Sequence, residues 1–145
     1  MALKHEFLIV SPKHLMPVLD LNSSLFSDSE IRYKSGENMS WPSEYEDADD
    51  ILLNIMVNRR NESINLHDDV IRPILHKFEI VDTLFGGFIP CSGLNYYGFT
   101  LIPPESIPVL ISVLIQINTG LEFDALLNLC TEALDKRQYI LHSGV

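Results

Sequence analysis

Along this chain the apolar positions change their spacing several times, and each change marks an element. Residues 6–10, Glu-Phe-Leu-Ile-Val, form an unbroken apolar run that Ser11-Pro12 ends. The run is too brief for a free-standing helix, so it predicts a buried strand. His14 to Leu21 has room for about two helical turns, although Pro17 lies within it. From Asn22 to Pro42 periodicity gives way to Ser, Asn, Gly and charge, which predicts a long surface loop with a strand at Ile31 to Lys34.

Ser43-Glu44-Tyr45-Glu46 matches a capping box, in which the serine oxygen accepts from the third helical amide and the glutamate reaches back to the cap. The helix that it opens carries Tyr45, Ala48, Ile51, Leu52, Ile55 and Met56 at helical spacing. Acids cluster in its first turns, and Arg59 and Arg60 close it, as the helix dipole favours. A second helix is expected from near Asn65, with Asp68 and Asp69 in its first turn and Val70, Ile71, Ile74, Leu75, Phe78 and Val81 along one face. Pro73 falls inside that pattern and predicts a kink.

Phe85 to Gly93 reads as a loop because it concentrates Gly86, Gly87, Pro90, Ser92 and Gly93, and Leu94 to Ile102 reads as a strand rich in Tyr, Phe and Thr. Pro103-Pro104-Glu105-Ser106 opens a helix bearing Ile107, Leu110, Ile111, Leu114 and Ile115, which Asn118-Thr119-Gly120 stops. The last helix, Leu121 to Leu134, turns Phe123, Leu126, Leu127, Cys130 and Leu134 to one side and ends at Lys136-Arg137. A terminal strand at Gln138 to His142 follows and would place both chain ends in one sheet. The pattern predicts an α+β fold: a single domain over residues 1–145, with about four helices packed on a small mixed or antiparallel sheet.

Composition supports one self-sufficient core. The chain has 145 residues, 46% hydrophobic, with eight prolines and seven glycines spread through it, which disfavours disorder and coiled coil alike. Cys91 and Cys130 form no CxxC pair, so they read as reduced packing residues. The apolar stretch near the start, Phe7 to Val10, is too short for a secretory signal, and Ile107 to Ile117 falls short of the roughly 20 residues that a membrane span requires. A cytoplasmic protein with no membrane partner is expected.

Catalytic and metal constellations do not emerge. The histidines at 5, 14, 67, 76 and 142 show no zinc spacing, and His67 and His76 would face opposite ways on the expected second helix. Gly86-Gly87 and Gly93 match no phosphate-binding motif and have no nearby Lys or Arg. Cys91 could act as a nucleophile only beside a histidine that no recognisable spacing supplies, which makes a small cysteine hydrolase the least favoured reading. The expectation is no enzyme, no metal and no cofactor.

Charge is more informative. The chain carries 20 acids against 10 Lys and Arg, for a net charge of −10, which disfavours direct binding to nucleic acid and suits either a basic protein partner or an ordinary solvated acidic surface. Six acids and no base fall between residues 37 and 50: Glu37, Glu44, Glu46, Asp47, Asp49 and Asp50, interleaved with Trp41 and Tyr45. Helix-dipole stabilisation explains acids at a helix start, at about 0.3–1 kcal/mol each, and six exceed that need. Glu46 and Asp50 are like charges one turn apart, a mild repulsion that a cationic surface would relieve. Glu37, Trp41, Glu44, Tyr45, Glu46, Asp47, Asp49 and Asp50 are therefore the candidate partner-binding residues.

Two stretches, Tyr96-Tyr97-Gly98-Phe99-Thr100-Leu101-Ile102-Pro103-Pro104-Glu105-Ser106-Ile107-Pro108 and Gln138-Tyr139-Ile140-Leu141-His142-Ser143-Gly144-Val145, resemble small bacterial immunity proteins. These are cytoplasmic antidotes paired with polymorphic toxins, including those of contact-dependent growth inhibition. The resemblance implies a protein that binds a cognate toxin C-terminal domain and covers its substrate-binding or active site. Where that toxin is a nuclease, its groove is basic and an acidic antidote competes for the same field. Both stretches are sites where folding itself demands a turn or a strand, so the resemblance assigns no binding residue. An acidic adaptor or nucleic-acid mimic that binds a host protein is the alternative; its charges would be strung along an extended face, whereas these are clustered.

Overall fold

A computed structural model describes residues 3–26, 44–86, 89–118 and 121–145. The first strand, β1 (Lys4–Val10), is buried at every position after Lys4. Its side chains alternate between two cores: Phe7 and Ile9 enter one, Leu8 and Val10 the other. Helices cover both faces of the sheet, which is why the strand reads as a continuous apolar run and shows no alternation.

On one face lie α1 (Pro12–Phe26) and α2 (Glu44–Asn58). Leu15 and Val18 from α1 meet Ala48, Leu52 and Met56 from α2, the last three spaced by one helical turn, over Leu8, Val10, Phe99, Leu101 and Leu141. The opposite face is covered by α3 (Asp68–Ile71), a 3-10 segment (Arg72–Ile80), α4 (Ile107–Ile117) and α5 (Asp124–Lys136). Ile71, Phe78, Leu110, Leu114, Leu126 and Cys130 pack there against Phe7, Ile102 and Ile140.

Between these layers the strands β2 (Ile64–His67), β1, β6 (Tyr139–Ser143), β5 (Phe99–Ile102), β3 (Asp82–Phe85) and β4 (Ile89–Ser92) run in that spatial order. Every pairing is antiparallel. The expected α+β single-sheet architecture is present, with five α-helices among the described residues where about four were expected. Both chain ends do enter one sheet, and β6 occupies its middle.

Several expectations are corrected. The helix expected over His14 to Leu21 runs from Pro12 to Phe26, because buried Leu15 and Val18 offset the amide lost at Pro17. Residues 22–26 of the expected loop are thus helical; the rest of it, with its strand at Ile31 to Lys34, and Ser43 of the capping box, lie outside the described residues. Arg59 and Arg60 fall just past α2, where they pair with Glu62 and the buried Glu6.

The expected second helix divides. Its start at Asn65 is strand β2, and its α-helical part spans only Asp68–Ile71, capped by the His67 ring, which accepts from the Asp69 amide. Pro73 cannot donate to the preceding turn, and the chain continues as 3-10 helix. The expected loop at Phe85 to Gly93 contains the end of β3 and all of β4. β4 is an edge strand, where the missing amide of Pro90 costs little, and Gly86 and Gly93 take positive φ values of 62° and 75° at the ends of this hairpin. The strand expected from Leu94 is confined to Phe99–Ile102; Asn95 to Gly98 form a turn in which the Gly98 amide donates to the Asn95 carbonyl.

Candidate partner-binding face and a buried histidine chain

The acidic residues occupy the first turns of α2. The periodicity that buries Ala48, Leu52 and Met56 turns Asp47 and Asp50 to solvent and leaves Asp49 half-buried at the edge of the packed face. Burial, reinforced by the Asp50 charge, raises the Asp49 carboxyl above its ordinary range. One of its oxygens, Oδ1, is enclosed with no hydrogen-bond partner among the described residues. Further along the same outward face Leu53 and Val57 are exposed apolar residues. Asp47, Asp49 and Asp50 are thus together at one helix end. Glu44, Tyr45 and Glu46 lie on the same helix with side chains outside the described residues, as are Glu37 and Trp41 entirely.

A second polar constellation is sealed under the sheet. β1 and β6 are neighbours with Phe7 opposite His142, which puts His5 diagonally across from His142 on the same face. His5 Nδ1 lies 2.9 Å from His142 Nε2, and the rings are nearly parallel at 14°. On one side His5 Nε2 is 3.1 Å from Asp68 Oδ1; on the other His142 Nδ1 is 3.2 Å from Thr100 Oγ1, its neighbour across the β5–β6 pairing. All four side chains are buried. The Asn95 amide donates to Thr100 Oγ1 at 2.8 Å, and the Tyr96 hydroxyl donates to Asp68 Oδ1 at 2.8 Å. The chain of contacts therefore closes into a ring through the 95–98 turn.

Burial would raise the Asp68 carboxyl, yet hydrogen bonds from His5 and Tyr96 and the Arg72 charge hold it below its ordinary range. Arg72 Nε reaches the other carboxylate oxygen at 3.4 Å. Burial, with the neighbouring His5, drives the His142 imidazole well below the usual histidine range. The Tyr96 hydroxyl is raised chiefly by its bond to Asp68.

No protein-family model, curated protein or solved structure matches this chain. Among the described residues no three His, Cys, Asp or Glu side chains converge as a metal site, and no helix is long and apolar enough to cross a membrane. Cys130 is buried in the core, where desolvation pushes its thiol up to about 12; Cys91 is half-buried in β4 opposite Thr83. The ring nitrogens of His5 and His142 are engaged by Asp68, by each other and by Thr100.

Spacing rules miss the histidine pair because its members are separated by 137 positions and meet only through strand pairing. A weaker signal is present in the sequence. His5 leads into the apolar run of β1, Thr100 sits between Phe99 and Leu101, and His142 follows Ile140-Leu141: three polar side chains at inward positions of three apolar strands.

Proposed function

We propose that this chain is a cytoplasmic immunity protein that binds a cognate toxin C-terminal domain of the nuclease class and covers its basic substrate-binding or active site. It acts by occupancy and carries out no chemistry. The observation that carries this reading is the acidic start of α2, where Asp47 and Asp50 are exposed and Asp49 is half-buried beside them. Like charges at this spacing repel one another, and a cationic partner surface would relieve that repulsion. The net charge of −10 extends the same preference over the whole molecule. A stable interface needs about 800 Å² from each side, an area that one helix face and an adjoining segment can supply.

The test is co-expression with the toxin domain encoded beside this gene, scored by growth and followed by association kinetics. Reversing Asp47, Asp49 and Asp50 to lysine together is expected to slow association at low salt by on the order of tenfold or more, with the fold retained by circular dichroism. Equal association rates for variant and parent at low salt would remove this face from the interface, and absence of protection by the parent would remove the function.

A further inference from the structure

With Asp68 ionised, the hydrogens of the buried ring have one consistent arrangement. Asp68 only accepts, so His5 Nε2 carries a hydrogen and donates to Oδ1. The neutral His5 ring then has a bare Nδ1, which accepts from His142 Nε2–H. His142 Nδ1 is bare in turn and accepts from the Thr100 hydroxyl, whose oxygen accepts the Asn95 amide. Every donor along the chain points toward Asp68, and each buried polar atom is matched.

We propose that this chain is a proton-operated relay: one proton taken up at His5 reverses the donors as far as Thr100 and loosens the turn that presents Tyr97. Protonated His5 donates from both nitrogens, to Asp68 and to His142 Nε2. His142 stays neutral and must move its own hydrogen to Nδ1, which now donates to Thr100 Oγ1. That oxygen then accepts from both His142 and Asn95, and its own hydrogen loses the His142 acceptor. A hydroxyl that donates to one neighbour is polarised into a better acceptor for the next, and reversal removes this support from the Asn95 amide.

The surroundings favour His5 as the proton's seat. Asp68 of α3 faces it directly; Tyr96 of the turn meets it edge-on at 5.6 Å between centroids; Phe7 of β1 lies 4.9 Å from the His142 ring. Arg72, at the head of the 3-10 segment, pairs with Asp68 and with Asp69. Both rings are fully enclosed, so the distinction is charge: the anionic member of the set is beside His5, while His142 sits one ring further from it.

The output lies at the surface. The Asn95–Gly98 turn is fastened to the ring through Asn95 and Tyr96, and to the segment after β6 by Gly144 N–H to Gly98 O and Val145 N–H to Tyr96 O, both at 2.9 Å. Tyr97 at its tip is 83% exposed and packs edge-on against Tyr96. A proton inside the molecule therefore changes the footing of an exposed aromatic side chain.

Long-range proton–nitrogen spectra of the ¹⁵N-labelled full chain, followed from about pH 8 to pH 5, test this directly. His142 is expected to change from the Nε2–H to the Nδ1–H tautomer without ever becoming imidazolium, at the midpoint where His5 gains its proton. The protection factor of the Asn95 amide should fall by roughly fivefold over the same interval, the worth of a weakened hydrogen bond. In Thr100→Val the Asn95 response should disappear. An unchanged His142 tautomer, protonation of His142 ahead of His5, or unfolding before either ring titrates would each overturn the relay; these readings use the parent chain and do not depend on the variant's folding.

Discussion

Burial and His5 together hold the His142 imidazole well below its ordinary 6.5, and that difference makes folding sensitive to acid. The unfolded chain binds a proton there near pH 6.5 and the folded chain does not. Above that pH the group has no effect; below it stability falls by up to about 1.4 kcal/mol per pH unit. Asp68 has a depressed carboxyl, so its contribution is complete above its ordinary 3.8 and is lost as pH falls through the lower folded value. Urea denaturation at a series of pH values should show the first loss setting in below 6.5, and His142→Gln should flatten it. A second residue-scale expectation concerns Gly144, where an added methyl would overlap the Tyr96 carbonyl oxygen and crowd that of Asn95. Gly144→Ala should cost about 1–3 kcal/mol, measured by thermal melting; a melt within a degree of the parent would show that the turn yields freely.

At the scale of elements, α2 separates burial from exposure within a single step of the chain. Leu52 is fully enclosed, and Leu53 beside it is 46% exposed. Leu52→Ala should destabilise by about 2–5 kcal/mol, whereas Leu53→Ala should fall within about 0.5 kcal/mol; equal losses in denaturant titrations would mean that the helix is rotated from the orientation described. This helix was legible in the sequence because its apolar spacing is regular and long. β3 and β4 were not. Each has only four residues, the apolar pattern leading to Val81 concealed the start of one, and Pro90 with its neighbouring glycines made the other resemble a loop. Pro73 signalled the break, but the β2 pairing that precedes it depends on contacts with β1 that no local pattern records. The acidic cluster was visible as composition; its enclosed Asp49 oxygen required the packing of α2. The histidine ring was invisible to spacing because strand pairing alone assembles it.

For the molecule as a whole, the decisive pairing is between the first strand and the last, Leu8 opposite Leu141, with β5 on the other flank of β6. Contacts of such long sequence separation slow folding, because loop closure is costly before any of them forms. Refolding by stopped-flow fluorescence should occupy milliseconds to seconds, and deleting residues 139–145 should leave no cooperative melt, since the cores on both faces lose Ile140 and Leu141 at once. A shortened chain that still melted sharply would show that the two halves of the sheet fold independently.

That central strand also sets the order of events during synthesis. At ~5–20 residues per second, β1 emerges from the ribosome on the order of ten seconds before the partner that completes its pairing. From the emergence of β5 until that of β6 the nascent chain holds β1 and β5 with an unpaired side each, exposing backbone donors and acceptors that other strands can capture. Chaperone engagement should therefore peak between the emergence of β5 and that of β6 and end abruptly once β6 clears the exit tunnel.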